Sequence, residues 1–283
     1  MCAFKKLEQG QFDQKDKAGI AAYFTPKYGE PIAFGYTADI YRTGDRVLKV
    51  FSPALDKALA YREAYVMSCV ESAGISMPSI LAVREEGGFQ LTETEFVEGR
   101  DMLSLLFASL AEGDVDGAHA LIREMAVLQA QVNRTHAPGL LPYKAYAADR
   151  IAGNEHLSAQ TRERTLALLA ALPEGNGICH GDFHPQNVLI HPSGKRYIID
   201  WVEAGASYPA CDPARSYMNL SYLPPVPPLQ NPALRLAETY LDAYTSASSL
   251  TRQEILDWLP IHAAISYGEK ADWYSSQIRA HLL

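Results

Sequence analysis

The sequence predicts an α+β chain in two lobes, a small β-rich N-terminal lobe over 1–97 and a larger, mostly helical C-terminal lobe over 98–283. Three observations carry this. From Ile32 to Val97 the chain runs mostly in short strand-like segments, bounded by turn residues and broken by one amphipathic stretch. Beyond Glu98-Gly99 apolar residues recur at three-to-four spacing, the period of a helix with one buried face. The length of 283 residues exceeds an average domain of roughly 100 to 200, so it accommodates two lobes with real cores.

The elements follow in order. IAFGYTADIY and RVLKVF, joined by Thr43-Gly44-Asp45, form a hairpin. Residues 56–73 form a helix whose inner face repeats at Ala60, Glu63, Ala64, Met67 and Val70, with Gly74 and Pro78 ending it. ILAVRE and FQLTETEFV pair about Glu86-Gly87-Gly88. MLSLLFASLAEG, AHALIREMAVLQAQVN and TRERTLALLAAL are helices. NVLIHPSGKRYIID is two strands about a Pro-Ser-Gly turn, with Asp200 ending the second. Residues 233–246 and 252–273 are two further helices, and the proline-rich 223–232 is a rigid loop.

Composition excludes several functions. With 33 Asp and Glu against 25 Lys and Arg, the net charge of −8 has the wrong sign for holding nucleic acid through its phosphates. Cys2, Cys69, Cys179 and Cys211 are far apart and form no CxxC pair, so they read as reduced, structural thiols rather than a zinc site or a disulfide framework. No apolar run approaches the roughly 20 residues that span a bilayer, and no apolar stretch follows the basic residues at the start. A cytoplasmic chain without nucleic-acid or membrane partners is expected, its oligomeric state left open.

The chemistry concentrates in HGDFHPQN, His180 to Asn187, and in Asp200 thirteen residues after Asn187. A carboxylate and an amide five apart in a tight loop, with a second carboxylate on the adjoining hairpin, suit phosphoryl transfer. One acid positions the acceptor hydroxyl while the others hold Mg²⁺, which takes hard oxygen donors and keeps several waters. Asp182 is thus the expected catalytic base, with Asn187 and Asp200 as metal ligands. His180 and His184 read as loop-packing residues, since Gly181 and Pro185 exclude the regular helix a histidine metal pair at this spacing needs.

HGDFHPQN with IIDW resembles the aminoglycoside phosphotransferase and choline kinase family, relatives of the protein kinases, over roughly 32–217. The resemblance implies a protein-kinase-like fold and the same three roles for Asp182, Asn187 and Asp200. It implies ATP and Mg²⁺ as cofactors and a small-molecule hydroxyl as acceptor. It also gives Lys49 an anion to grip. On a strand, Val47, Lys49 and Phe51 share one face and Leu48 and Val50 the other, so the ammonium emerges among apolar neighbours. Family members use such a Lys on the α- and β-phosphates, paired with a helix Glu. Glu63 lies on the apolar face, where a charge needs a partner, and Glu71 near that face is the alternative.

The remaining nucleotide contacts come from the resemblance alone. Backbone N–H groups around Gly35, Tyr36, Thr37 and Ala38 are the candidate phosphate contacts, although one glycine stands where protein kinases carry several. TETEFVEG resembles the inter-lobe hinge, with Thr94 behind the adenine and Glu95 and Val97 offering backbone groups to the base; an ordinary strand before a Glu-Gly turn fits the string as well. Asp212 to Arg215 resembles a segment that braces the larger lobe. Gln129 stands where members often carry His.

The leading reading is a kinase that moves the γ-phosphate of ATP to a small-molecule hydroxyl, an aminoglycoside or another amino alcohol among the candidates. A kinase for choline, homoserine or a sugar, and a catalytically silent nucleotide-binding regulatory protein, are the alternatives. A protein kinase is disfavoured, because Trp-Val follows Asp200 and only about a dozen residues separate it from CDPAR, too few for a peptide-docking segment. Residues after Trp201 carry eight acids against five bases together with many aromatics. Most of these aromatics are expected in the core, a subset being available for an amine-bearing acceptor. Glu203, three residues past Asp200, is the first candidate to meet it.

Overall fold

A computed structural model describes residues 14–35, 38–222, 235–268 and 272–283. The chain is mixed α+β and divides into two compact units, Met1–Glu98 and Gly99–Leu283. Among the described residues no helix is long and apolar enough to cross a membrane.

The first unit holds a five-stranded antiparallel sheet in the order β1-β2-β3-β5-β4. Its strands are β1 (Ala33–Phe34), β2 (Ala38–Thr43), β3 (Arg46–Phe51), β4 (Ile80–Glu86) and β5 (Phe89–Glu95). β2 and β3 close about Gly44-Asp45, with Thr43 opposite Arg46 and Gly44 at φ +61°, where glycine carries no steric cost. Alternation along β3 decides what each face meets. Leu48 and Val50 join Tyr41 and Leu91 under helix α1 (Gln14–Tyr28), which contributes Ile20 and Phe24. Burying each of these large apolar side chains is worth about 1.5 to 3 kcal/mol. Lys49 points to the opposite face, toward α2 (Ala58–Ser72).

Helix α1 has no counterpart in the sequence reading. Among those of its residues whose burial is described, Ile20 and Phe24 are fully buried, and Pro26 lies inside the helix, so the pattern is too short to stand out. It forms because the sheet needs a cover. α2 buries the expected Ala60, Glu63, Ala64, Met67 and Val70, although it starts at Ala58, two residues later than expected.

The second unit is built on helices α3 (Met102–Ala111), α4 (Val115–Arg134), α5 (Tyr143–Gly153), α6 (Ala159–Ala171), α7 (Cys211–Ser221) and α8 (Leu236–Ala247). α4 is central, burying Ala118, Ile122, Met125, Ala126 and Ala130 against α3 and α8. Two small sheets interrupt the helices. One orders β6 (Arg100–Asp101), β8 (Val188–Ile190) and β9 (Arg196–Ile198); the other pairs β7 (Gly177–Cys179) with β10 (Gly205–Ser207). The sequence reading does not contain α5, α7, β6, β7 or β10. β6 has two residues and β7 and β10 three each, too short for a period to show.

Two expectations are corrected. The single helix over 252–273 is instead α9 (Arg252–Leu256), α10 (Leu259–Ser266) and the start of α11 (Asp272–Ile278). Pro260 supplies no N–H and therefore sits at the head of α10, while Gly268 at φ +76° follows its end. Strand β9 stops at Ile198, so Asp200 lies beyond it rather than at its end. The proline-rich 223–232 falls outside the described residues.

Candidate active site

The loop from β7 to β8 is held from below by one carboxylate. Gly181 takes φ +86°, and a Cβ there would come within 2.8 Å of the Glu203 carbonyl, so only glycine fits. Its N–H donates to Asp212 Oδ1 at 2.9 Å. Asp212, in the first turn of α7 and 1% exposed, also accepts from Asn133 Nδ2 at 2.9 Å and from the Cys179 thiol at 3.5 Å. With the helix N-terminus beside it, this buried acid is satisfied. Asp212 therefore braces the loop. Asn133 is set in turn by the Tyr244 hydroxyl at 2.8 Å, and Gln129 accepts from Ser216, whose Oγ also lies 2.7 Å from the Phe183 carbonyl.

His180 is fully buried, its ring 4.6 Å from that of Trp201, with Nε2 donating to the Ile199 carbonyl and Nδ1 accepting from the Asp182 N–H. It packs the loop. His184 does something else: its Nε2 lies 3.5 Å from Asp182 Oδ2 and accepts from Asn187 Nδ2 at 3.3 Å.

Asp182 is the focus. Its Oδ1 lies 3.3 Å from Arg215 Nε and 3.2 Å from Asn219 Nδ2, both on α7. Burial opposes the charge on Arg215, but the surrounding negative groups, Asp182 foremost, more than offset it and raise its pKa. The sequence reading gave Arg215 a purely bracing role; the structure puts its guanidinium on the carboxylate of the loop. Asn219 was passed over altogether. The signal was present, because Asp212, Arg215 and Asn219 recur three and four apart and make one polar stripe on an otherwise buried helix.

A 3₁₀ turn over Pro185–Asn187 folds the chain back so that Asn187 Nδ2 donates to the Asp182 carbonyl at 3.0 Å. With its amide nitrogen so engaged, Asn187 presents oxygen to any cation. Its own carbonyl accepts from the Ile199 N–H at 3.0 Å, which brings Asn187 beside the segment carrying Asp200. Asp200 adopts φ +65°, a left-handed conformation rare for a residue with a side chain and characteristic of functional sites. Among the described residues no three His, Cys, Asp or Glu side chains converge into a metal cage. One carboxylate and one amide oxygen fit a hard ion such as Mg²⁺ that keeps water and nucleotide oxygens as its other ligands.

In the first unit, Lys49 Nζ is 2.8 Å from Glu63 Oε1, their side chains 16% and 4% exposed. Glu71 instead accepts from the Ile80 N–H. The Gly35 N–H donates to the Ala38 carbonyl at 2.9 Å. Ala38 pairs with Phe51 in the sheet, and Tyr36 and Thr37 lie outside the described residues. Glu95 donates its N–H to the Ser79 carbonyl, its carbonyl accepting from Thr94 Oγ1, while Val97 follows the end of β5. Of the C-terminal aromatics, Trp201, Tyr240, Tyr244, Trp258 and Tyr274 are buried, whereas Tyr208, Tyr217, Tyr222 and Tyr267 are partly exposed. Glu203 is partly exposed beside Gly181.

A small sheet with a Lys–Glu pair, and a helical unit whose loop joins an acid to an amide, are the parts of a protein-kinase-like phosphotransferase. Residues 29–250 match the model of the phosphotransferase enzyme family, and the chain belongs to it. It is a phosphotransferase enzyme. No curated protein sequence matches the chain. Among solved structures it is similar to a choline/ethanolamine kinase family protein from Mesorhizobium loti, with 18% identity, a TM-score of 0.59, and coverage of 94% of this chain and 92% of that one. It is similar to the choline kinase LicA from Streptococcus pneumoniae at 14% identity and a TM-score of 0.58, covering 95% and 97%. An aminoglycoside phosphotransferase from Streptomyces rimosus shares 18% identity and a TM-score of 0.58, covering 90% and 98%.

Proposed function

We propose that the chain is an ATP- and Mg²⁺-dependent kinase that moves the γ-phosphate to a hydroxyl of a small molecule, of the amino-alcohol or amino-sugar class. The observation that carries it is the arrangement of Asp182, whose carboxylate is held by Arg215 and Asn219 while its backbone carbonyl is tied to Asn187. A carboxylate held this way is oriented before the acceptor arrives, which is what a general base requires.

In this reading Lys49, oriented by Glu63, binds the nucleotide phosphates, and the second lone pair of the Glu95 carbonyl and the backbone of Val97 serve the base. Asn187 and Asp200 would hold Mg²⁺, which when bound neutralises charge developing on the phosphate oxygens. Asp182 aligns the acceptor hydroxyl and takes its proton as the oxygen attacks the γ-phosphorus, whose bond to the β–γ bridging oxygen breaks to release ADP. The amine preference is supported by Glu203 beside the catalytic loop and by the likeness to a choline kinase and an aminoglycoside phosphotransferase.

ATP consumption measured over hydroxylated amines, amino acids, sugars and aminoglycosides tests this. Turnover of some amine-bearing alcohols is expected, with KM rising with ionic strength and Glu203→Gln raising KM for them more than for neutral sugars. Phosphorylation of neutral or anionic alcohols alone rejects the cationic acceptor and keeps the kinase. Nucleotide binding without any turnover supports a silent regulatory protein instead.

A further inference from the structure

Asp182 Oδ1 meets two donors from the α7 side, and one of them is an amide. The two ends of an amide are nearly the same size, so either the N–H or the oxygen of Asn219 can turn toward a neighbour. Only the N–H suits a carboxylate, because the oxygen would set acceptor against acceptor. The Tyr274 hydroxyl lies 2.9 Å from Asn219 Oδ1. Tyr274 is 4% exposed, and burial raises its pKa, so at neutral pH the phenol keeps its proton and donates.

We infer that Asn219 and Tyr274 are positioning residues for phosphoryl transfer, Tyr274 holding the Asn219 amide in the one orientation that donates to Asp182. The inference rests on Asp182 being the base. The chain from Tyr274 through Asn219 ends on the same carboxylate oxygen as Arg215, whose Nη1 is hydrogen-bonded to Ser266. Ser266 of α10 and Tyr274 of α11 thus support, through Arg215 and Asn219 of α7, the two contacts to one oxygen. Rotation of the carboxylate breaks both contacts, so the plane of the base is set before the acceptor binds. Neither Asn219 nor Tyr274 needs to touch the acceptor for this to work.

The test uses the full chain with ATP and Mg²⁺, and with choline, ethanolamine, kanamycin, streptomycin and water as acceptors. Tyr274→Phe and Asn219→Ala should each lower kcat about tenfold on the most active acceptor, the scale of one hydrogen bond to a charged group, with KM for ATP changed less than about twofold. The double variant should be no slower than Asn219→Ala, because Tyr274 acts through Asn219. A product of the two losses, about a hundredfold, or unchanged kcat in Tyr274→Phe, overturns the inference.

A second measurement needs no turnover. The side-chain amide signals of Asn219, assigned by their loss in Asn219→Ala in ¹⁵N spectra, should shift in Tyr274→Phe. Signals that stay in place overturn the inference whatever the kinetics. If instead Asp182→Asn retains wild-type turnover, or the wild type consumes no ATP with any acceptor, the functional reading fails and takes the role of these residues with it.

Discussion

Arg215 and Asp182 form an ion pair at 3.3 Å in which the guanidinium is sealed, 2% exposed, while the carboxylate remains 26% exposed. The cation supports and the anion is presented. Arg215→Lys retains the charge but cannot reach Asp182 and Ser266 in the same forked geometry. We expect Arg215→Met to lower stability by about 2 to 4 kcal/mol in urea unfolding, and Arg215→Lys to lower it less while still losing transfer. Wild-type stability in Arg215→Met would show that the pair contributes nothing to the fold.

Asp182→Asn preserves shape and removes the base. Turnover should fall about 10² to 10⁴-fold, with nucleotide affinity within a few fold, because the carboxylate serves the acceptor rather than ATP. More than about a tenth of wild-type turnover would remove the assignment.

Asp200→Asn should weaken nucleotide binding only when Mg²⁺ is present, since it withdraws a charge from the ion's ligands. Titrating the nucleotide with and without the metal checks this. Equal wild-type affinity under both conditions contradicts the role.

The Lys49–Glu63 pair predicts an asymmetry. Lys49→Met should raise KM for ATP about tenfold or more by deleting a charge-assisted phosphate contact. Glu63→Gln should raise it less, because the amide oxygen still accepts from the ammonium. Identical kinetics for Lys49→Met and the wild type would exclude Lys49 from the nucleotide site.

Glu93 gives a pH prediction in the first unit. The Arg46 hydrogen bond, against burial and with help from Arg84, holds its carboxyl below the ordinary value of 4.5. A depressed carboxylate pKa contributes stability above the unfolded value and loses it as pH falls through the folded one. Unfolding of Glu93→Gln against wild type should show a deficit of about 1 kcal/mol at pH 7 that fades as pH falls below the ordinary carboxylate value of 4.5. A deficit independent of pH would assign the effect to packing.

What the sequence by itself determined is whatever is written over short distances. Gly44-Asp45 between alternating strands encodes a hairpin, the three-to-four repeat from Ala60 to Val70 encodes the buried face of α2, and HGDFHPQN places an acid and an amide five apart. Tertiary structure decided the rest. α1 covers Leu48 and Val50, and the two positions described as buried in it, Ile20 and Phe24, do not announce that. The partners of Asp182 stand 33 and 37 residues away, and Tyr274 reaches Asn219 across 55 more. Periodicity says which face of a helix is buried, but which polar groups meet on that face is set by how helices distant in sequence pack together.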